Sequence, residues 1–511
     1  MRRFISQTFI SQFLTSFSRS TFHSQLSTHI NMLYYLLQYI DSHYNIPGFG
    51  VFKYISFRSI LALISSLFIS LLIGGKIIDI LRRNLIGESI REDGPETHKK
   101  KAGTPTMGGL IIISAIVFPV LLWADIRNAY IWLSLLAIIW MGIIGFIDDY
   151  IKVFKKDKQG LKGRFKIIGQ VGLGLIVGLT MIFHPDFMGS RANITQLNVI
   201  KTTEMLNDAG FINGDKLLQI NGFSFSELPD DGKYAKLESY TVMRKEIQEG
   251  FLIEKEVTVK ILEKDMYKIA RELFGLKDKS FVYRTNLPLM KNYVFDYSNV
   301  WFLKGHIDAD LLGRIIYVLI AIFIVTAVSN GVNITDGIDG LAAGTSAIVG
   351  TTLGLFAYLS GNALFSNYLN ISYLPLSAEL IVYCAALVGA CIGFLWYNTY
   401  PAQVFMGDTG SLALGGVIAV LALMVKKELL IPIMCGIFFV ESLSVILQVS
   451  YFKYNKRRYG IDYAKEHRLF RMSPLHHHYE KGGMHEAKIV MRFFILAILL
   501  CVLSFATLKL R

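Results

Sequence analysis

The stretch SNGVNITDGIDGLAAG, Ser329 to Gly344, sets two asparagines and two aspartates between two apolar runs, each long enough to cross a bilayer. Carboxylates are costly near hydrocarbon and persist there only where they pair, coordinate or meet water. The stretch therefore reads as a polar mouth between two membrane spans. Composition agrees: the 511 residues are 53% hydrophobic and only 18% charged, with a mean hydropathy of +0.44, whereas a soluble chain carries about 25% charged residues. The expected fold class is an all-α polytopic membrane protein. Cys384, Cys391, Cys435 and Cys501 all fall in apolar runs. They read as small buried side chains, with no metal-ligand spacing and no disulfide framework.

Outward from that mouth, ten segments approach the length of a span: 57–81, 108–124, 130–147, 166–184, 311–330, 341–360, 378–397, 411–425, 429–450 and 489–508. The eighth is short and the second is clipped by polar flanks. Basic residues set the orientation. The connection after the first span holds Arg82, Arg83, Arg91, Lys99, Lys100 and Lys101, and the one after the third holds Lys152, Lys155, Lys156, Lys158, Lys162 and Arg164. The ninth is followed by Lys453, Lys456, Arg457, Arg458, Lys465, Arg468 and Arg471. Odd-numbered connections are thus expected to be cytoplasmic, with both termini outside. The net charge of +13 is explained by this asymmetry and calls for no nucleic-acid partner.

The same parity gathers the unusual polar stretches. KKKAGTPTMGG follows span one, GFIDDYIK span three, NITDGIDG span five, YNTYPAQVFMGDTGS span seven and MSPLHHHYEKGG span nine. All five belong to one face. Taken singly, each has a structural explanation: Asp148 and Asp149 as a helix end, Asp336 and Asp339 as N-caps, Asp408 as a turn residue, His476, His477 and His478 as an exposed loop. Taken together they read as one site. Carboxylates without cysteine ligands suit a hard cation such as Mg²⁺, which commonly accompanies phosphates. Asn330 and Asn333, like Asp336 and Asp339, are spaced to share a helix face. The glycine turns GTPTMGG and MGDTGS are expected to leave backbone N–H groups free as an anion cradle. Phosphoryl or pyrophosphoryl transfer at the cytoplasmic surface follows.

These loops, in this order, resemble the signature loops of the phospho-N-acetylmuramoyl-pentapeptide transferases, within the polyprenyl-phosphate N-acetylhexosamine-1-phosphate transferases. The likeness covers about 33–184 and 283–510. It implies a ten-span, Mg²⁺-dependent enzyme of the bacterial inner membrane, typically a homodimer. Such an enzyme passes phospho-MurNAc-pentapeptide from its UDP carrier to undecaprenyl phosphate in the membrane lipid. By resemblance, Asp408 is a Mg²⁺ ligand, with Asp336 placed beside it. Asp148 and Asp149 are the catalytic pair, acting either as nucleophile or as base. Asp336, Asp339, Asn398 and Phe405 line the nucleoside pocket. Lys101, Thr106 and Lys152 meet the nucleotide or its phosphates, and His476 to His478 position the sugar phosphate, although three adjacent histidines cannot all face one ligand. A sister GlcNAc-1-phosphate transferase would share the acids but not PLHHHYE. A secondary transporter would place its acids near the midplane and show repeated halves.

Two segments stand apart from the expected transmembrane blocks 32–184 and 307–511. Residues 185–306 form a polar, nearly charge-balanced insertion after span four, expected on the periplasmic face as a small α/β or β-rich module with an unidentified partner. Its LNDAGFINGDKLLQINGFSF resembles a core segment of PDZ domains, strand then Asn-Gly turn, and EKEVTVKILE alternates like a strand. Residues 1–31 have Arg2, Arg3 and Arg19 but no acid, like a transit peptide. Because the family-like sequence begins at Met32, a start codon assigned too far upstream is the simpler reading.

Overall fold

The computed structural model describes residues 33–44, 47–83, 103–157, 159–187, 200, 204–212, 214–220, 223–224, 239–248, 251–260, 284–286, 294–299, 308–369 and 371–509. Lys101 and the head 1–31 lie outside them. Ten long helices follow the expected apolar runs: α1 (Ile55–Arg83), α2 (Gly109–Trp123), α3 (Ala129–Phe154), α4 (Gly163–Phe183), α5 (Ala309–Thr335), α6 (Leu341–Gly361), α7 (Leu380–Asn398), α8 (Gly407–Met424), α9 (Gly436–Tyr459) and α10 (Glu486–Lys509). Among the described residues nine helices are long and apolar enough to cross a membrane. The tenth, α2, has 15 residues, about 22 Å at 1.5 Å per residue. It is the span the sequence shows clipped by polar flanks.

The helices outrun the apolar runs in a way that matters for function. α3 continues past 147 to take in Asp148, Asp149 and Lys152. α5 continues past 330 and carries Asn333, and α8 starts early enough to hold Asp408 in its first turn. Polar motifs that read as loops are therefore helix ends, whose side chains the bundle fixes. At the opposite end, where the ninth run begins, a short 3-10 turn (Glu428–Leu430) and a one-turn helix (Ile431–Met434) precede α9.

α8 is the axis of the bundle. It packs against α2, α3, α5 and α6, and every residue from Thr409 to Met424 is buried, as expected of a helix apolar on all sides. Small residues bring its start close to its neighbours, the usual device where lipid gives no hydrophobic drive to helix association. A Cβ on Gly109 of α2 would fall 2.1 Å from the Gly410 nitrogen, and one on Gly145 of α3 would fall 2.2 Å from the Asp408 carbonyl oxygen.

The insertion holds a four-stranded antiparallel sheet of order β2-β1-β3-β4, made of β1 (Lys216–Ile220), β2 (Phe223–Ser224), β3 (Ser239–Gln248) and β4 (Phe251–Lys260). Ile220 pairs with Phe223 across the Asn-Gly dipeptide, and the alternating segment is β4. Buried Asp215 accepts from Arg244 Nη2 at 2.8 Å, tying the sheet to the turn before it. Among the described residues the likeness to a PDZ domain rests on that local segment alone. A second pair, β5 (Arg284–Asn286) and β6 (Val294–Asp296), leads back to the bundle, where the Thr285 hydroxyl donates to the Lys426 carbonyl at 3.4 Å.

Candidate active site

Asp148 and Asp149 are consecutive on α3, so their side chains diverge by about 100° around the helix. Each does a different job. Asp149 turns toward the start of α8, where Oδ1 accepts from the Asp408 amide (3.1 Å) and Oδ2 accepts from the Thr409 amide (2.8 Å) and hydroxyl (2.6 Å). It thereby satisfies N–H groups that the first turn of a helix cannot satisfy itself, and holds Asp408 in place from a neighbouring helix. Asp148, fully buried, shares a face with Lys152 one turn on, and the Lys152 ammonium lies 2.5 Å from its Oδ2. Its Oδ1 accepts from the Leu161 amide at 2.7 Å and faces Lys166 of α4 at 2.9 Å. Gly160, at φ 62°, makes this approach possible, since a Cβ there would stand 2.7 Å from Oδ1.

Asp408 completes the cluster. Its Oδ1 accepts from Asn333 Nδ2 at 2.8 Å, and its Oδ2 is paired with Lys152 at 3.2 Å and with Lys166. Oxygen atoms of Asp148, Asp149 and Asp408 all lie within 4.8 Å of one another. Three carboxylates thus face two ammonium groups at a surface where Lys152 is 37% exposed. With all three ionised one negative charge is left over, and every donor of the trio is a hard oxygen. Such a set of hard donors is one that could hold a divalent cation.

The glycine turns have a different task from the one expected of them. The amides of Gly108 and Gly109 donate to the carbonyls of Phe405 and Met406, both at 2.8 Å, and the Phe405 amide donates to the Pro105 carbonyl at 2.8 Å. These N–H groups lace the start of α2 to the approach to α8, and those of Asp408 and Thr409 are held by Asp149. They do not form a free anion cradle. The glycines are small because two helix starts meet there.

The residues in this cluster have recognisable company among known proteins. The family profile described as "Phospho-N-acetylmuramoyl-pentapeptide-transferase signature 1" matches residues 101–113, and that of "Glycosyl transferase family 4" matches 283–426. A phospho-N-acetylmuramoyl-pentapeptide-transferase of Flavobacterium psychrophilum is 50% identical over 94% of this chain and the whole of the relative. Those of Flavobacterium johnsoniae and Amoebophilus asiaticus are 48% and 50% identical over the same shares. The chain belongs to the phospho-N-acetylmuramoyl-pentapeptide transferase family.

Within this transferase the remaining expected residues fall into three groups. Thr106, Asp336 and Phe405 are half-buried. Thr106 reaches the Gly407 turn, its hydroxyl 3.0 Å from where a Cβ would stand. Asp336 caps the C-terminus of α5, its amide donating to the carbonyls of Val332 (3.2 Å) and Asn333 (3.3 Å). It is not part of the three-carboxylate group, because α5 ends and the chain turns just before it. Asp148 and Asp149 stand beside Asp408 instead.

A second group fastens the Asn/Asp loop. Asp339 Oδ2 accepts from the Ala402 amide at 3.0 Å, while Asn398 accepts from the Gly340 amide (3.0 Å) and donates to the Val404 carbonyl (2.8 Å). Both are buried and tie the Asn/Asp loop to the stretch before α8. Asn330 donates to Gln170 of α4 at 3.0 Å, beneath the site. The histidines diverge. His476 is fully buried, His477 Nδ1 lies 3.0 Å from Glu480 Oε2, and His478 Nδ1 accepts from the Arg471 amide at 3.1 Å.

Sequence reasoning missed Lys166, Thr409 and Ser411. Lys166 left one signal, a cation opening an apolar run in GRFKIIG, where a span would otherwise start with an uncharged residue. Ser411, whose hydroxyl accepts from Asn333 at 2.8 Å, looks in sequence like one more small residue of a packed helix.

Proposed function

We propose that this chain transfers phospho-MurNAc-pentapeptide from its UDP carrier to undecaprenyl phosphate, releasing UMP, in the cytoplasmic membrane of a bacterium with the acid cluster facing the cytoplasm. The observation that carries the reading is the convergence of Asp148, Asp149 and Asp408 with Lys152 and Lys166 at one end of the bundle. Relatives of that printed name, matched over their whole length, support it.

The donor set, carboxylate oxygens without cysteine or histidine, fits magnesium. Magnesium at these acids would offset pyrophosphate charge and so ease displacement at phosphorus. The chain's own residues do the rest. Lys152 and Lys166, held between Asp148 and Asp408, face the charge that builds on the phosphoryl oxygens. An acceptor phosphate oxygen attacks the phosphorus that bears the sugar and forms one P–O bond. The bond from that phosphorus to the bridging oxygen breaks, and UMP leaves with that oxygen and its electron pair. An acceptor entering as a dianion needs no proton transfer. Direct attack is favoured over an aspartyl intermediate because a phosphate is already a competent nucleophile once the charge of its target is offset.

The test is UMP release by purified protein in detergent with Mg²⁺ and undecaprenyl phosphate. Release from UDP-MurNAc-pentapeptide but not from UDP-GlcNAc is expected. Release from UDP-GlcNAc alone would move the chain to the sister transferases, and release from neither would end the proposal.

A further inference from the structure

Glu441 lies in the middle of GIFFVESLSVIL on α9, where a carboxylate is expensive. Its side chain and that of His476 are both 0% exposed. Each carboxylate oxygen has a task. Oε1 accepts from the His476 backbone amide at 3.2 Å, and Oε2 lies 3.1 Å from His476 Nδ1 while also accepting from that amide at 3.4 Å. A backbone amide can only donate, and a bare Nδ1 lone pair facing a carboxylate would repel it. The proton of a neutral His476 ring therefore sits on Nδ1, and Nε2 is left as a lone pair.

That second nitrogen points somewhere specific. Nε2 is buried with no hydrogen-bond partner among the described residues. It is seated against Gly337, where a Cβ would come within 2.3 Å of it. Gly337 follows Asp336 in the NITDGIDG loop, so the ring occupies the space that any larger residue at 337 would take. A buried ring atom without a partner costs free energy. Here it is aimed at the loop whose Asp336 and Asp339, by resemblance, line the nucleoside pocket.

We infer that Glu441 is the positioning residue of His476, fixing its Nδ1–H tautomer and ring plane so that Nε2 stands as a bare acceptor packed against the Asp336–Gly337 turn and sets the place of that turn. The role of the ring in turnover rests on the proposed transferase function; its tautomer does not.

Glu441→Gln gives a sharp test. The glutamine oxygen is expected to take the shorter contact with the His476 amide, where an NH₂ would face a second donor. The glutamine NH₂ then faces Nδ1, makes it an acceptor and drives the ring proton to Nε2. In ¹⁵N-histidine-labelled protein, with the His476 signals assigned by their loss in His476→Gln, the unsubstituted chain is expected to show a protonated Nδ1 and a bare Nε2. Glu441→Gln is expected to show the reverse. UMP release should fall roughly ten- to a hundred-fold in kcat, the usual scale for losing a carboxylate that orients a histidine, with thermal midpoint changed little. The double variant should be no slower than His476→Gln alone, because the two residues act as a unit. Glu441→Asp, which keeps two acceptor oxygens, should keep the Nδ1–H pattern and recover part of the rate. An unchanged ring pattern in Glu441→Gln, or fully additive losses in the double variant, would overturn the inference. Absence of UMP release from the unsubstituted protein would instead sink the transferase reading, and the ring signals would still judge Glu441.

Discussion

Two buried ionic groups sit at opposite ends of this bundle, and they are built on opposite plans. At the start of α1, Arg58 and Glu379 form a two-pronged pair, Nη2 to Oε2 at 2.9 Å and Nη1 to Oε1. The same guanidinium donates to the Trp123 carbonyl at 3.0 Å, the Asp125 amide donates to Glu379 at 2.7 Å, and the Tyr34 ring lies 4.4 Å from the guanidinium carbon. Charge is balanced one to one, and both side chains are less than 10% exposed. At the other end three carboxylates meet two lysines, with one charge unmatched and a path to solvent. The neutral, closed group fastens helix ends. The unbalanced, open one is the group proposed to take a cation. Burial of charge marks neither as functional; excess charge with access does.

The sharpest break in that comparison is Asp408→Asn. It leaves two carboxylates against two lysines, so the site gains balance and loses its reason to bind a cation. UMP release is expected to fall by about a thousand-fold or more, with a thermal midpoint equal to or above that of the unsubstituted protein. A matching loss of stability would make the cluster structural. Glu379→Gln should do the converse. Removing one partner of a buried pair costs about 3–5 kcal/mol, read as a lowered midpoint of denaturation in detergent, while kcat of the folded fraction stays put.

Gly145→Ala probes what holds the open cluster in place. A Cβ there meets the Asp408 carbonyl oxygen, so the start of α8 must shift. Activity should fall roughly a hundred-fold, the scale of a 1 Å misplacement, with a stability cost of about 1–3 kcal/mol. An unaltered kcat would show that the α3–α8 contact is looser than described.

The smallest effect concerns pH. Lys426, buried beside Glu428 just past the end of α8, is pushed down to about 8 by burial, and Glu428 is pushed up by the same cause. In the unfolded chain a lysine titrates near 10.4. Between about 8 and 10.4 the unfolded chain therefore holds more protons than the folded one, and stability rises with pH through that window. The upward shift of Glu428 has the opposite sign, lowering stability as pH rises through its own titration, so Lys426 is isolated by comparing proteins that both keep Glu428. The thermal midpoint of the unsubstituted protein should gain on that of Lys426→Met from pH 8 to 9.5. Parallel curves would place Lys426 in contact with water.

Much of this was legible in sequence because a bilayer imposes coarse rules. Length and hydropathy set the ten helices, and the parity of basic loops gathered Asp148, Asp149, Asp408 and the Asn/Asp stretch at one end. What stayed hidden is what helices do beyond the hydrocarbon. Asp148 and Asp149 look alike as a dipeptide, yet a 100° turn gives one to the lysines and the other to α8. Gly108 and Gly109 look like an anion cradle, yet their amides are spent on a neighbouring chain segment. Lys166 and Glu441 each lie within an apolar run, where a lone charge is the one signal that sets them apart.

The central claim is that the unmatched charge of the acid cluster binds a divalent cation. Mn²⁺ binding, followed by electron paramagnetic resonance and by competition with Mg²⁺, tests it most directly. The account predicts one Mn²⁺ per chain, displaced by Mg²⁺, lost in Asp408→Asn and kept in Glu379→Gln. Retention in Asp408→Asn, or no binding by a protein that releases UMP, would contradict it.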